Sequence, residues 1–173
     1  MRLLGRKGDI NAHTNFVLRE GKAAMKGITG FGHAAIKVKD LDASLAFYKD
    51  RLGFPEMLRL HNKDGSTWLV YLRITDEVFL EIFPGAENDR APGWNANGVN
   101  HLCLMIDNLD TFCPAIEAKG IKLTAAIKDG LDGNRQAWIE DPDGNRIELM
   151  EMHPDCLQYK GLKRLREEGL VPA

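Results

Sequence analysis

The sequence has no apolar run long enough to cross a bilayer, which takes about 20 residues. Its longest clean runs, such as Trp68 to Leu72, are the size of a strand. Cysteine is scarce: Cys103, Cys113 and Cys156 are odd in number and carry no metal-type spacing, so a disulfide scaffold is excluded. A reduced, cytoplasmic setting is the expectation. Neither sign of charge dominates. Lys plus Arg is 23 and Asp plus Glu is 25, a net charge of -2, and nothing in that balance points to nucleic acid or an anionic membrane as a partner. The N-terminus (MRLLGRKGD) is positive but lacks an apolar core of signal-peptide length.

What is present is ordinary for a globular chain. Of the 173 residues, 44% are hydrophobic and 28% charged, enough for one domain or two small modules sharing a core. Residues 1–30 stand apart, with six cations against Asp9 and Glu20 and little periodicity. They read as an N-terminal extension or arm. A transit-type leader has little to support it there, and Met25 is an alternative start because a regular pattern begins just after it.

From residue 31 the pattern sharpens. His33 to Lys39 alternates, with Ala34, Ile36 and Val38 on one face and His33, Ala35 and Lys37 on the other, which predicts a half-buried strand. Asp40 offers a helix cap, Leu41, Leu45, Tyr48 and Leu52 follow at helical spacing, and Gly53 stops the helix. Strands are predicted at about 55–61, 66–73 and 77–83. Residues 86–97 (AENDRAPGWNAN) read as a linker. The order then begins again. A strand over 100–106, a helix capped by Asn108 and stopped by Gly120, and strands at about 121–127, 135–140 and 145–152 complete it. A charged tail helix over about 155–168 is expected to turn Leu157, Leu162 and Leu165 inward.

The chain therefore repeats a β-α-β-β-β unit, an α+β pattern with modules at 31–85 and 98–152 and a helical tail at 153–173. At an offset of 68, His33 falls on His101 and Asp40 on Asn108; near the end of each half the offset is 67 and Glu81 falls on Glu148. Either histidine alone is more often a hydrogen-bonded core residue, and either glutamate more often a solvated strand residue. A matched set of four changes that judgement. If each half forms a curved antiparallel sheet, each His and Glu can point into its concave side, and two facing sheets would gather all four. Imidazole with carboxylate suits Zn, Ni, Co, Fe or Mn better than Ca or Mg. Four ligands on an octahedral ion would leave two positions open.

The two modules, the segment LDASLAFYKDRLGF at 41–54 and the EDPDGNRIEL stretch at 140–149 resemble the vicinal oxygen chelate superfamily, and within it glyoxalase I, over about 31–152. The resemblance implies a curved sheet or barrel of two βαβββ modules. It implies His33, Glu81, His101 and Glu148 as ligands of one divalent transition metal, with Zn, Ni or Co first. It assigns Glu148 the role of the base that moves a proton between vicinal carbons of an α-oxo hemithioacetal or related carbonyl compound, with Glu81 assisting. Ring-cleaving relatives lack the glutamate matching Glu81, which favours a lyase or isomerase. A homodimer acting on a small carbonyl or thiol-adduct substrate is implied as well. Lys37, Gly85 and Asn97 stand where the resemblance would place Arg, Asn and Arg. Lys37 and Arg135 are the substrate-binding candidates.

Two other readings stay open: an epimerase of an acyl-CoA-like substrate, and a non-catalytic protein that sequesters a small molecule. Trp68 and Trp138 are read first as core residues and second as pocket walls. Arg146 is read as an exposed strand residue before an anion-binding one. Cys103, two residues after His101 on the same face, is read as small and buried. His13, His61 and His153 receive no role.

Overall fold

A computed structural model describes residues 27–171. Residues 1–26 of the arm read over 1–30, with the leader and alternative-start readings, lie outside the described residues. Residues Thr29–Lys160 form one compact unit, which carries every element that bears on function.

That unit begins with β1 (His33–Val38) and α1 (Leu41–Leu45), which widens into a π-helical turn over Ala46–Arg51. The strands β2 (Glu56–His61), β3 (Thr67–Arg73) and β4 (Phe79–Pro84) follow. The second half runs β5 (Leu102–Met105), α2 (Leu109–Ala118), β6 (Leu123–Asp129), β7 (Arg135–Glu140) and β8 (Arg146–Glu151). Both helices are capped as the sequence predicts. Asp40 accepts from the backbone N–H of Ala43 and Asn108 from that of Thr111, each 3.0 Å away, which satisfies an N–H that no helical carbonyl reaches. The apolar spacing buries Leu45 at the end of α1 and Tyr48 in the wider turn that follows, which also turns Phe47 inward.

Each half is a four-stranded sheet, in the orders β1-β4-β3-β2 and β5-β8-β7-β6. The α+β expectation of two βαβββ modules holds. The sheets are mixed, however, where antiparallel ones were expected: β1 pairs with β4, and β5 with β8, in parallel. The reason is parity. The helix carries the chain back, so the second strand starts in the direction of the first; two hairpins later the fourth strand has the same direction and docks beside the first. The sheets stay separate and open and do not close into a barrel.

Alternation decides which face is covered. Val38, Val70, Leu72, Leu80 and Ile82 from the first sheet join Ala137, Ile139, Ile147 and Leu149 from the second, with Phe47, Tyr48, Cys113 and Ile116 from the helices, in one buried core. Tyr48 ties the halves together by donating its hydroxyl to Asp141 at 2.9 Å in the turn before β8. The opposite faces of both sheets are the more exposed ones, although Leu69 and Glu81 on the first are buried. No helix among the described residues is long and apolar enough to cross a membrane. The last helix, α3 (Leu157–Glu167), has no buried residue, and Leu157 is exposed where an inward position was expected.

Candidate functional site

The residues that alternate away from the core carry the matched histidines and glutamates. In the first half, His33 opens β1 and Glu81 sits in the middle of β4, where its ladder partner is Ala35, two residues along β1 from His33 and on the same face. The His33 Nε2 lies 3.7 Å from Glu81 Oε2. Glu81 is only 6% exposed although Leu80 and Ile82 on either side belong to the core face. Tyr71 stands directly across from it on β3, and the Glu81 carboxylate holds the Tyr71 phenol above its ordinary range.

In the second half, His101 immediately precedes β5, and its Nε2 lies 3.1 Å from Glu148 Oε2 on β8. Its Nδ1 lies 3.0 Å from the side-chain oxygen of Asn100. An N–H given to Asn100 leaves the Nε2 lone pair turned toward the carboxylate, the tautomer a metal-binding histidine needs. Cys103 pairs with Glu148 across the parallel ladder and is exposed, against the buried role expected of it. Desolvation of its sulfur and the Glu148 charge push its thiol up to about 12.

These pairs suit a shared cation. Two ligands each about 2.1 Å from one ion stand about 3.0–3.4 Å apart, depending on geometry. The second pair, at 3.1 Å, lies within that range, and the first, at 3.7 Å, is wider than it. The structure brings the four predicted ligands together as two pairs, one on each sheet, and not as a set of four. Among the described residues no group of three His, Cys, Asp or Glu side chains could hold a metal by itself.

A cavity of about 660 Å³ opens on the outer face of the second sheet; His101 and Glu148 are not among its lining residues and adjoin it through Trp138. Trp138 forms its wall: it faces Glu148 across the β7–β8 ladder, and its ring meets that of His101 edge-on with centroids 4.9 Å apart. Trp94 comes from the segment between the halves and meets Trp138 at 65°, centroids 5.8 Å apart. That segment is pinned to the second half rather than free. Arg90 pairs with Glu140, the Ala91 N–H reaches the Asp143 carbonyl at 2.7 Å, and Arg146 donates to the carbonyls of Pro92 and Asn100. The Arg146 guanidinium also lies 5.1 Å over the Trp94 ring, and its Nε is buried without a partner among the described residues.

The other candidates read from the sequence fall elsewhere or on the rim once placed in the fold. Lys37 lies exposed on the same face of β1 as His33. Arg135 is held by the Asp110 carboxylate at 2.8 Å and by Glu151 at 3.3 Å, on the side of β7 that faces α2, and is not among the residues lining the cavity. Trp68 is 49% exposed and packs edge-on against Phe83, and Trp138 lines the cavity, so neither takes the core position expected first. Sequence reasoning missed Trp94 and Gln136. The signal for Trp94 was a large aromatic stranded in a polar Pro-Gly segment; Gln136 had only its two-residue spacing from Trp138 on the strand.

Comparison with known proteins bears on the fold and the family. Residues 30–149 match the family model described as "Glyoxalase/Bleomycin resistance protein/Dioxygenase superfamily". The lactoylglutathione lyase of Salmonella typhimurium (strain LT2) is 30% identical over 123 residues, covering 69% of this chain and 90% of that protein. The crystal structure of SMU.1112c matches with a TM-score of 0.62 at 28% identity, covering 72% of this chain and 99% of that one. TnmS3, an antibiotic binding protein from Streptomyces sp. CB03234, shares the fold at 21% identity and a TM-score of 0.59, over 75% of this chain and all of that one.

Proposed function

The chain belongs to the glyoxalase/bleomycin resistance protein/dioxygenase superfamily, and from that membership and its two half-sites we propose a metal-dependent isomerase or lyase of the glyoxalase I type. Its substrate is an α-oxo hemithioacetal or a related carbonyl compound, in which a proton moves between neighbouring carbons. The observation that carries this reading is the matched His–Glu pair on the face of each sheet turned away from the core, 3.1 Å apart in the second half and 3.7 Å in the first.

His33 and Glu81 of one copy and His101 and Glu148 of a second would hold a divalent transition metal, with Zn, Ni or Co first by ligand type. When bound, the ion supplies positive charge that offsets the negative charge developing on two vicinal substrate oxygens. Glu148 takes the carbon-bound proton and delivers it to the adjacent carbon. Glu81 serves the opposite side of the substrate. A symmetric dimer then carries two equal sites.

Two experiments test this. Metal analysis of purified protein is expected to show one ion per chain, and Glu81→Gln with Glu148→Gln is expected to lose it; unchanged metal content would overturn the site. Mixing and reassociating His33→Ala and His101→Ala chains is expected to restore about a quarter of the wild-type activity. Half the dimers are then mixed, and each mixed dimer holds one intact site of two. No recovery would mean that the ligands are not shared between copies. Release of a thioester from a hemithioacetal separates this activity from an epimerase, and exchange of the substrate carbon proton with solvent separates both from a binding protein.

A further inference from the structure

The cavity over the second sheet has walls that proton transfer does not use. We propose that it seats a flat aromatic, weakly charged part of the substrate, so that the protein acts on aryl-bearing carbonyl compounds. The reacting end of that assignment rests on the proposed isomerase or lyase activity; the aromatic seat does not.

Ring placement comes first. Trp138 and Trp94 meet at 65° and form a corner, and an aromatic group entering it has one ring to stack on and another to meet edge-on. Trp94 is 58% exposed, yet its segment is fastened by Arg146, Asn100 and Arg90, so the ring is presented already ordered. A group lying on Trp138 ends at His101, which touches that ring, and at Glu148, its ladder partner. The seat and the proposed proton-transfer groups therefore share the Trp138 ring as a common wall.

Size and charge narrow the occupant. About 660 Å³ is room for a compact organic molecule. The carboxylates Asp129, Asp132 and Glu140 in the lining outnumber the cations Lys128 and Arg146. The Arg146 guanidinium lies over the Trp94 ring and donates to two backbone carbonyls. A tail with two carboxylates would meet a wall short of free cations. An aromatic group of low charge meets two indoles and the Gln136 side chain, whose oxygen accepts from the Trp138 indole N–H at 2.8 Å.

The seat is tested first on metal-free protein, by calorimetric titration with naphthol, cyclohexanol and a naphthalene disulfonate. Naphthol is expected to bind at least tenfold tighter than either of the others. Trp94→Ala and Trp138→Leu are each expected to weaken naphthol about tenfold. Trp94 is exposed, so its variant keeps the test valid if Trp138→Leu disturbs the fold. Equal affinity for the three probes, or naphthol binding unchanged in Trp94→Ala, would overturn the proposal. A second titration on metal-loaded protein compares benzohydroxamate with acetohydroxamate, which share one chelating end. Benzohydroxamate is expected to be at least tenfold tighter, with the advantage lost in Trp94→Ala. Equal hydroxamate affinities on loaded protein would remove the seat and leave the metal reading. Failure of the protein to take up metal, with naphthol still bound in a Trp94-dependent way, would remove the metal reading and leave the seat.

Discussion

Asp132 shows how much of a residue's behaviour its local partners set. It accepts from the backbone and side-chain N–H groups of Asn134 at 3.1 and 2.9 Å and from Gln158 at 2.5 Å. Those bonds, Gln158 first, hold its carboxyl below the ordinary value of 3.8. A depressed carboxylate contributes stability above its unfolded pKa and loses it as pH falls through the lower folded value. A carboxyl-carbon NMR titration is expected to place the Asp132 midpoint below 3.8, and Asp132→Asn is expected to remove that part of the acid dependence of stability. A midpoint at or above the ordinary value would mean that the bonds do not hold in solution. The tryptophans teach a different lesson. Nothing in the sequence around Trp138 separates a strand residue facing the core from one facing a cavity, because alternation fixes two faces without saying which is covered. The same ambiguity applied to Cys103, whose face follows from its ladder partner Glu148.

At the scale of elements, the turn before β8 decides where Glu148 stands. The N–H of Gly144 reaches the Asp141 carbonyl at 3.0 Å, and the Asp141 side chain accepts from the backbone of Asp143 and Asn145 at 3.0 and 2.7 Å. Gly144 has φ of +80°, and a Cβ there would come within 2.8 Å of the Arg90 side chain. Gly144→Ala is therefore expected to cost about 1–2 kcal/mol in urea unfolding, from the left-handed backbone and the displaced arginine. Helix caps and strand periods were legible because each depends on a few adjacent residues. Strand β5 is shorter than the 100–106 span predicted, because Asn100 is drawn off the ladder: its side chain donates to Trp94 and its carbonyl accepts from Arg146. The widening of α1 into a π-helical turn, with the Leu52 N–H bonded to Phe47 at 3.0 Å, left no mark in the apolar spacing.

Over the whole molecule, the halves are joined by a shared core and by one buried hydrogen bond. Burial first, and then the Asp141 charge, push the Tyr48 phenol well above its ordinary range, so it remains a donor throughout the neutral range. Tyr48→Phe is expected to destabilise by about 1 kcal/mol, since Asp141 keeps its other donors. Asp141→Ala is expected to cost about 3 kcal/mol or more, because the Tyr48 hydroxyl and two backbone N–H groups lose their acceptor; denaturant midpoints at constant slope measure both. If the metal bridges two copies, chelation is expected to lower the sedimenting mass at low protein concentration, and Glu81→Gln is expected to abolish that dependence. The sequence alone determined the repeated β-α-β-β-β order, both helix caps and the matched His and Glu positions, because periodicity, capping and internal duplication are written in short stretches of chain. Only the tertiary structure decided that the fourth strand lies parallel to the first, that the sheets turn their His–Glu faces away from the shared core as two separate pairs, and that the segment between the halves delivers Trp94 to a cavity. Those outcomes depend on which faces the shared core consumes, and that is settled by packing between residues far apart in sequence.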